Sequence, residues 1–92
     1  MVNTLELFER KFALYVILAV KDNPGMTKTE VLRLDNGNER TKFLRINELI
    51  EEGIISVKNE REQHNAMRLY LTPKGQEISV SIEKIRSIME KD

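Results

Sequence analysis

The sequence contains no cysteine, no tryptophan and a single histidine, His64. Without thiols there are no disulfides, no Cys-ligated zinc and no thiol nucleophile, which fits a reducing compartment. One histidine is too few for a histidine metal cage or relay. Proline (2) and glycine (4) are scarce, while Leu, Ile, Val and Phe supply 28 of the 92 residues. That balance excludes a disordered chain. Long apolar runs are missing too. The longest, Phe12–Val20, has nine residues, well short of the ~20 that a membrane helix needs. Glu6 and Glu9 before it and Lys21-Asp22-Asn23-Pro24 after it do not fit a secretory signal. The expectation is therefore a cytoplasmic chain with no membrane partner. Neither charge sign is in excess: 15 Lys and Arg face 15 Asp and Glu. The balance holds within residues 1–35, 36–72 and 73–92 separately. Proteins that coat nucleic acid indiscriminately are strongly basic, so any such role here rests on a few placed cations.

What is present is one domain's worth of chain, with a core thin enough to make a partner subunit expected. Leu5 to Lys21 reads as a helix, capped by Thr4 and stopped by Asn23-Pro24-Gly25. Its second half is apolar on nearly all sides, more surface than one small domain hides. Thr27-Lys28-Thr29-Glu30 is a capping box that opens a short helix with Val31, Leu32 and Leu34 as its apolar face. Asp35-Asn36-Gly37-Asn38 is turn chemistry tolerant of left-handed backbone. A third helix spans Glu39–Glu52 and ends at Gly53, with Phe43, Ile46, Leu49 and Ile50 as its inward face. Arg40, Thr41, Leu44 and Glu48 fall on the opposite side, flanked by Arg45.

Two strand-like runs follow, 54–58 and 67–71, joined by a polar hairpin tip over 59–66. Thr72-Pro73 then opens a last helix, where Ile78, Ile82, Ile85 and Met89 repeat at the spacing of a short coiled coil. The order α-α-α-β-β-α is that of a mostly helical α+β fold, a winged helix-turn-helix. Residues 1–72 would form the winged domain and 73–92 a C-terminal dimerisation helix belonging to it.

The stretch Arg45-Ile46-Asn47-Glu48-Leu49-Ile50-Glu51-Glu52-Gly53-Ile54-Ile55 resembles the recognition-helix end and first wing strand of winged-helix transcriptional regulators. Leu69-Tyr70-Leu71-Thr72-Pro73-Lys74-Gly75 resembles their second wing strand running into the closing helix. Both motifs are similar to those of MarR-like and PadR-like repressors and of small archaeal winged-helix proteins that dimerise through a terminal coiled coil. The likeness covers roughly residues 5–90 in element order. It implies a homodimeric, sequence-specific binder of double-stranded DNA that regulates transcription, with no cofactor and no recognisable effector. Phe43 and Leu44 depart from it, since many such helices carry small polar residues there.

On this reading the third helix enters the major groove and the hairpin 54–71 serves as wing. The candidate DNA contacts are Thr27, Lys28, Arg40, Thr41, Lys42, Leu44, Arg45, Lys58, Arg61 and Arg68. The bland alternatives are a solvated amphipathic helix and a mixed-charge hairpin tip, with His64 an ordinary surface residue. Candidate dimer contacts are Phe12, Tyr15, Val16, Ile78, Ile82, Ile85 and Met89, although the isoleucine stripe could instead fold back on its own first helix. No phosphate-binding glycine loop, nucleophile–base pair or carboxylate dyad points to catalysis, so a non-enzyme is expected. The alternative function is a winged helix used for protein–protein contact, in which Leu44 and the acidic residues face a protein.

Overall fold

The computed structural model describes residues 4–61 and 66–91. Its elements are α1 (Glu6–Glu9), α2 (Ala13–Asp22), α3 (Lys28–Leu32), α4 (Glu39–Glu51), β1 (Ile55–Glu60), β2 (Ala66–Leu71) and α5 (Pro73–Met89). The winged-helix order expected from the sequence is present, with one correction at its start. The helix expected over residues 5–21 is two helices. Phe12 takes a left-handed backbone (φ 70°) between them, and the N-cap is Leu5, with no side-chain hydrogen bond, rather than Thr4. Left-handed backbone costs a non-glycine residue about 1–2 kcal/mol. Ring contacts offset that cost: Phe12 stacks edge-on against Tyr15 at 5.9 Å and lies under the Lys42 ammonium at 5.4 Å.

α2 is apolar on most sides because it is the centre of the domain, with Leu14 left 42% exposed. α3, α4, α5 and β2 all pack on it, leaving Ala13, Val16, Ile17 and Val20 almost wholly buried. Val16 therefore has no surface to offer a second subunit, contrary to the sequence expectation. Thr27 and Glu30 form the reciprocal cap of α3. Gly37 and Asn38 take the left-handed turn that leads into α4, and Gly53 (φ 74°) ends it.

The hairpin runs antiparallel from Ile55 opposite Leu71 to Glu60 opposite Ala66, longer than the expected runs. The far edge of β2 is covered by the segment before α3. Gly25 N donates to Leu69 O at 2.9 Å, and Leu69 N donates to Met26 O at 2.8 Å. The wing is thereby tied to the entrance of the helix-turn-helix. Thr72 accepts from Gly75 N at 3.0 Å, donates to Gly53 O at 2.5 Å, and so joins the end of α4 to the start of α5. Gly75 is the close-approach point, since a Cβ there would lie 2.1 Å from the Ile54 carbonyl oxygen. Among the described residues no helix is long and apolar enough to cross a membrane.

Candidate nucleic-acid interface

α4 turns Lys42, Ile46 and Leu49 inward. That places Arg40, Leu44 and Asn47 on the outward side, with Phe43 and Arg45 on its two flanks. Two assignments change with this phase. Phe43, expected in the core, is 43% exposed, and Lys42, expected to meet DNA, is 1% exposed. Lys42 lies one turn before Ile46 and two before Leu49, so its long aliphatic stem fills the core line. Its ammonium donates to Asp35 O at 2.7 Å and sits over the Phe12 and Tyr15 rings. Burial of Tyr15, then the Asp35 charge, pushes the Tyr15 hydroxyl above its usual pKa.

Leu44 is exposed as expected, at 48%. Arg40 is exposed and makes no ion pair among the described residues. Thr41 is half-buried beside it. Arg45 is committed elsewhere: its Nε lies 3.0 Å from Glu48 Oε1, with both atoms buried and poorly aligned for a hydrogen bond. Glu48 also holds Arg10, just after α1, so one carboxylate bridges two guanidinium groups.

On α3, the Thr27 hydroxyl is taken up by its cap rather than free for a phosphate. Lys28 reaches across to α4. Its ammonium donates to Asn47 Oδ1 at 3.0 Å and lies 5.5 Å from the centre of the Phe43 ring. Sequence reasoning does not single out Asn47, although it stands seven residues after Arg40 and three after Leu44, on the same stripe. A groove of about 390 Å³ beside Lys28 and Phe43 is lined also by Leu32 and Met67, the last from the tip end of β2.

Of the wing cations, Lys58 and Arg61 are exposed. Arg68, expected on DNA, is a strut. It donates to Gly25 O at 2.8 Å and pairs with Glu60 at 3.1 Å, fastening β2 to the loop before α3. His64 and the hairpin tip 62–65 lie outside the described residues.

The remaining expected contacts concern dimerisation. Phe12, Tyr15, Ile78 and Ile82 pack half-buried against their own core, whereas Ile85 (61%) and Met89 (78%) are exposed. The first half of the isoleucine stripe thus folds back on its own core, and the second half is exposed.

No curated protein matches the sequence. Among solved structures, the fold is shared with the transcriptional regulator SlyA (TM-score 0.78, 23% identity, 89% of this chain and 58% of that one). It is shared also with Streptococcus pneumoniae FabT in complex with DNA (TM-score 0.74, 20% identity, 92% and 64%). AF1382 from Archaeoglobus fulgidus superposes at TM-score 0.74 and 21% identity, over 98% of this chain and all of its own. The chain thus spans less than two thirds of SlyA and of FabT. The family model for the F-93 winged-helix domain matches residues 15–75, from near the start of α2 through the wing to the start of α5. The chain belongs to the F-93 winged-helix family.

Proposed function

We propose that this chain is a homodimeric, sequence-specific DNA-binding regulator of transcription, acting in the cytoplasm without enzymatic activity. α4 enters the major groove, and the β1–β2 hairpin follows the flanking backbone through Lys58 and Arg61. The observation that carries this reading is the outward stripe of α4. Arg40, with no ion pair among the described residues, stands at the start of a helix whose next outward residues are exposed Leu44 and half-buried Asn47, an apolar and an amide side chain of the kinds that meet base edges. A groove of about 550 Å³ supports the dimer, with Leu5, Phe8, Leu14, Ile82 and Ile85 on its walls. It continues the exposed second half of the α5 stripe, and a two-fold mate laid along both would hide them together. Residues 73–92 then supply the pairing helix, and residues 1–72 the DNA-reading part together with Leu5, Phe8 and Leu14 of the pairing groove.

The test is titration of a labelled duplex, enriched by the protein from a random pool, at several salt concentrations. Groove binding through several cations must weaken steeply as salt rises. A partner protein gripping Leu44 through apolar contact would bind almost independently of salt. Flat salt dependence, or no enrichment of any duplex, refutes the DNA reading.

A further inference from the structure

We propose that Phe43 and Asn47, drawn together by the Lys28 ammonium, read an A·T pair in each half-site. This inference rests on the DNA-binding reading and goes beyond it by naming the base pair and the atoms that select it. The two residues stand four apart on α4, so their side chains are neighbours one turn apart. Lys28 binds both: Nζ donates to Asn47 Oδ1 at 3.0 Å and stacks 5.5 Å from the Phe43 ring centre. The hydrogen bond settles how the amide is turned. With Oδ1 accepting from Lys28, the two Nδ2 hydrogens point away, and Oδ1 keeps a second lone pair. An amide so fixed matches adenine in the major groove, donating to the ring nitrogen and accepting from the exocyclic amine.

Phe43 supplies the other half of the pair. It is 43% exposed on a helix whose neighbouring outward residues are mostly polar, and it borders a groove shared with Leu32 and Met67. An apolar wall of this kind in a major groove meets the thymine methyl, the one apolar group exposed on base edges there. A G·C pair has no methyl, and where adenine offers its amine guanine presents the O6 carbonyl, from which Oδ1 cannot accept a hydrogen bond.

The experiment uses the full chain and the duplex it enriches from a random pool. At the invariant A·T position of that pool, thymine is replaced by uracil, which removes the methyl. Separately, adenine is replaced by a deaza-adenine that lacks the major-groove ring nitrogen. Binding by the unsubstituted protein should fall about threefold for the methyl and about fivefold or more for the nitrogen. Phe43→Ala binds more weakly and no longer distinguishes thymine from uracil. Asn47→Ala and Lys28→Met no longer distinguish adenine from its deaza analogue. If the enriched duplexes share no A·T pair, or the unsubstituted protein ignores both base changes, the inference is overturned while DNA binding stands. It is overturned equally if Phe43→Ala keeps its sensitivity to the methyl. Failure of the folded protein to enrich any duplex overturns this inference and the DNA reading together.

Discussion

Lys42 Nζ donates a 2.7 Å hydrogen bond to the Asp35 carbonyl oxygen from within the core, joining α4 to the turn that precedes it. The same ammonium faces the Phe12 and Tyr15 rings, so one side chain fixes both the left-handed break after α1 and the phase of α4. Lys42→Ala leaves a cavity and removes these contacts together. It should cost about 2–4 kcal/mol of stability, read by urea unfolding. Lys42→Met keeps the stem and should recover more than half of that loss. Equal losses in the two variants would mean that the charge, rather than the stem, holds the site.

Two shifted groups give stability a pH profile. Burial, then Asp35, raises the Tyr15 pKa, so the folded chain holds this proton longer than the unfolded one. The contribution is complete below the ordinary tyrosine pKa, about 10, and is lost as pH rises through the folded value. For Glu83, partial burial pushes the pKa up, but hydrogen bonds from Lys21 and then Arg86 outweigh it and bring it down. Its contribution is present above the ordinary carboxylate pKa and disappears as pH falls through the folded value. Melting temperatures of Tyr15→Phe should therefore decline less on the alkaline side, and those of Glu83→Gln less on the acid side. Profiles parallel to that of the unsubstituted protein would contradict both assignments.

Arg45 is held by Glu48, which also holds Arg10, and this makes the two arginines of α4 unequal. Arg40→Ala should weaken binding to the enriched duplex by about 1–3 kcal/mol if Arg40 reads a base. Arg45→Ala should cost less, because its guanidinium must leave a carboxylate to reach DNA. Glu48→Gln releases that guanidinium. DNA affinity should then rise for all sequences, and the salt slope should steepen by about one unit per freed cation. An unchanged slope in Glu48→Gln would mean that Arg45 stays off the duplex.

The α5 stripe separates folding from pairing. Ile82 is half-buried against its own core, so Ile82→Lys should damage the monomer itself. Ile85 is 61% exposed, and Ile85→Lys costs the isolated chain almost nothing. In a dimer that pairs along α5, Ile85→Lys should give a folded monomer by light scattering and circular dichroism. A monodisperse monomer from the unsubstituted protein would end the dimer proposal.

Much of this architecture is legible in the sequence because its signals are local. The Thr27–Glu30 box, the turn through Gly37 and Asn38, the stop at Gly53 and the Thr72-Pro73 start each depend on a few adjacent residues, and each is where expected. The differences come from contacts between residues far apart or from side chains of double character. Nothing near Phe12 marks a helix break. Its backbone is held by Tyr15 and by Lys42, thirty positions further on. An apolar-inside wheel prefers Phe43 to Lys42, yet Lys42 stands on the Ile46–Leu49 line and Phe43 to its side. A lysine whose ammonium finds a carbonyl and two rings can take the inner place. Arg45 and Arg68 look free in the sequence because their carboxylate partners, Glu48 and Glu60, read there as separate surface charges.

Leu44 puts the phase of α4 to the test. Lys42, Ile46 and Leu49 face the core, which leaves Leu44 on the far side with 48% of its surface exposed. Were it a core residue, Leu44→Ala would cost about 2–5 kcal/mol of stability. At the observed exposure the change should stay within about 0.5 kcal/mol. The same variant should lose affinity for the enriched duplex, because an apolar side chain on the outward stripe meets a base methyl or a sugar once α4 is in the groove. Thermal denaturation and duplex titration of Leu44→Ala therefore give paired answers. Unchanged stability with weakened binding fits α4 as the reading helix in the phase described. A large loss of stability would show that α4 is rotated, and with it the outward placing of Arg40 and Asn47. Unchanged stability with unchanged binding would leave the phase correct and remove Leu44 from the DNA contact.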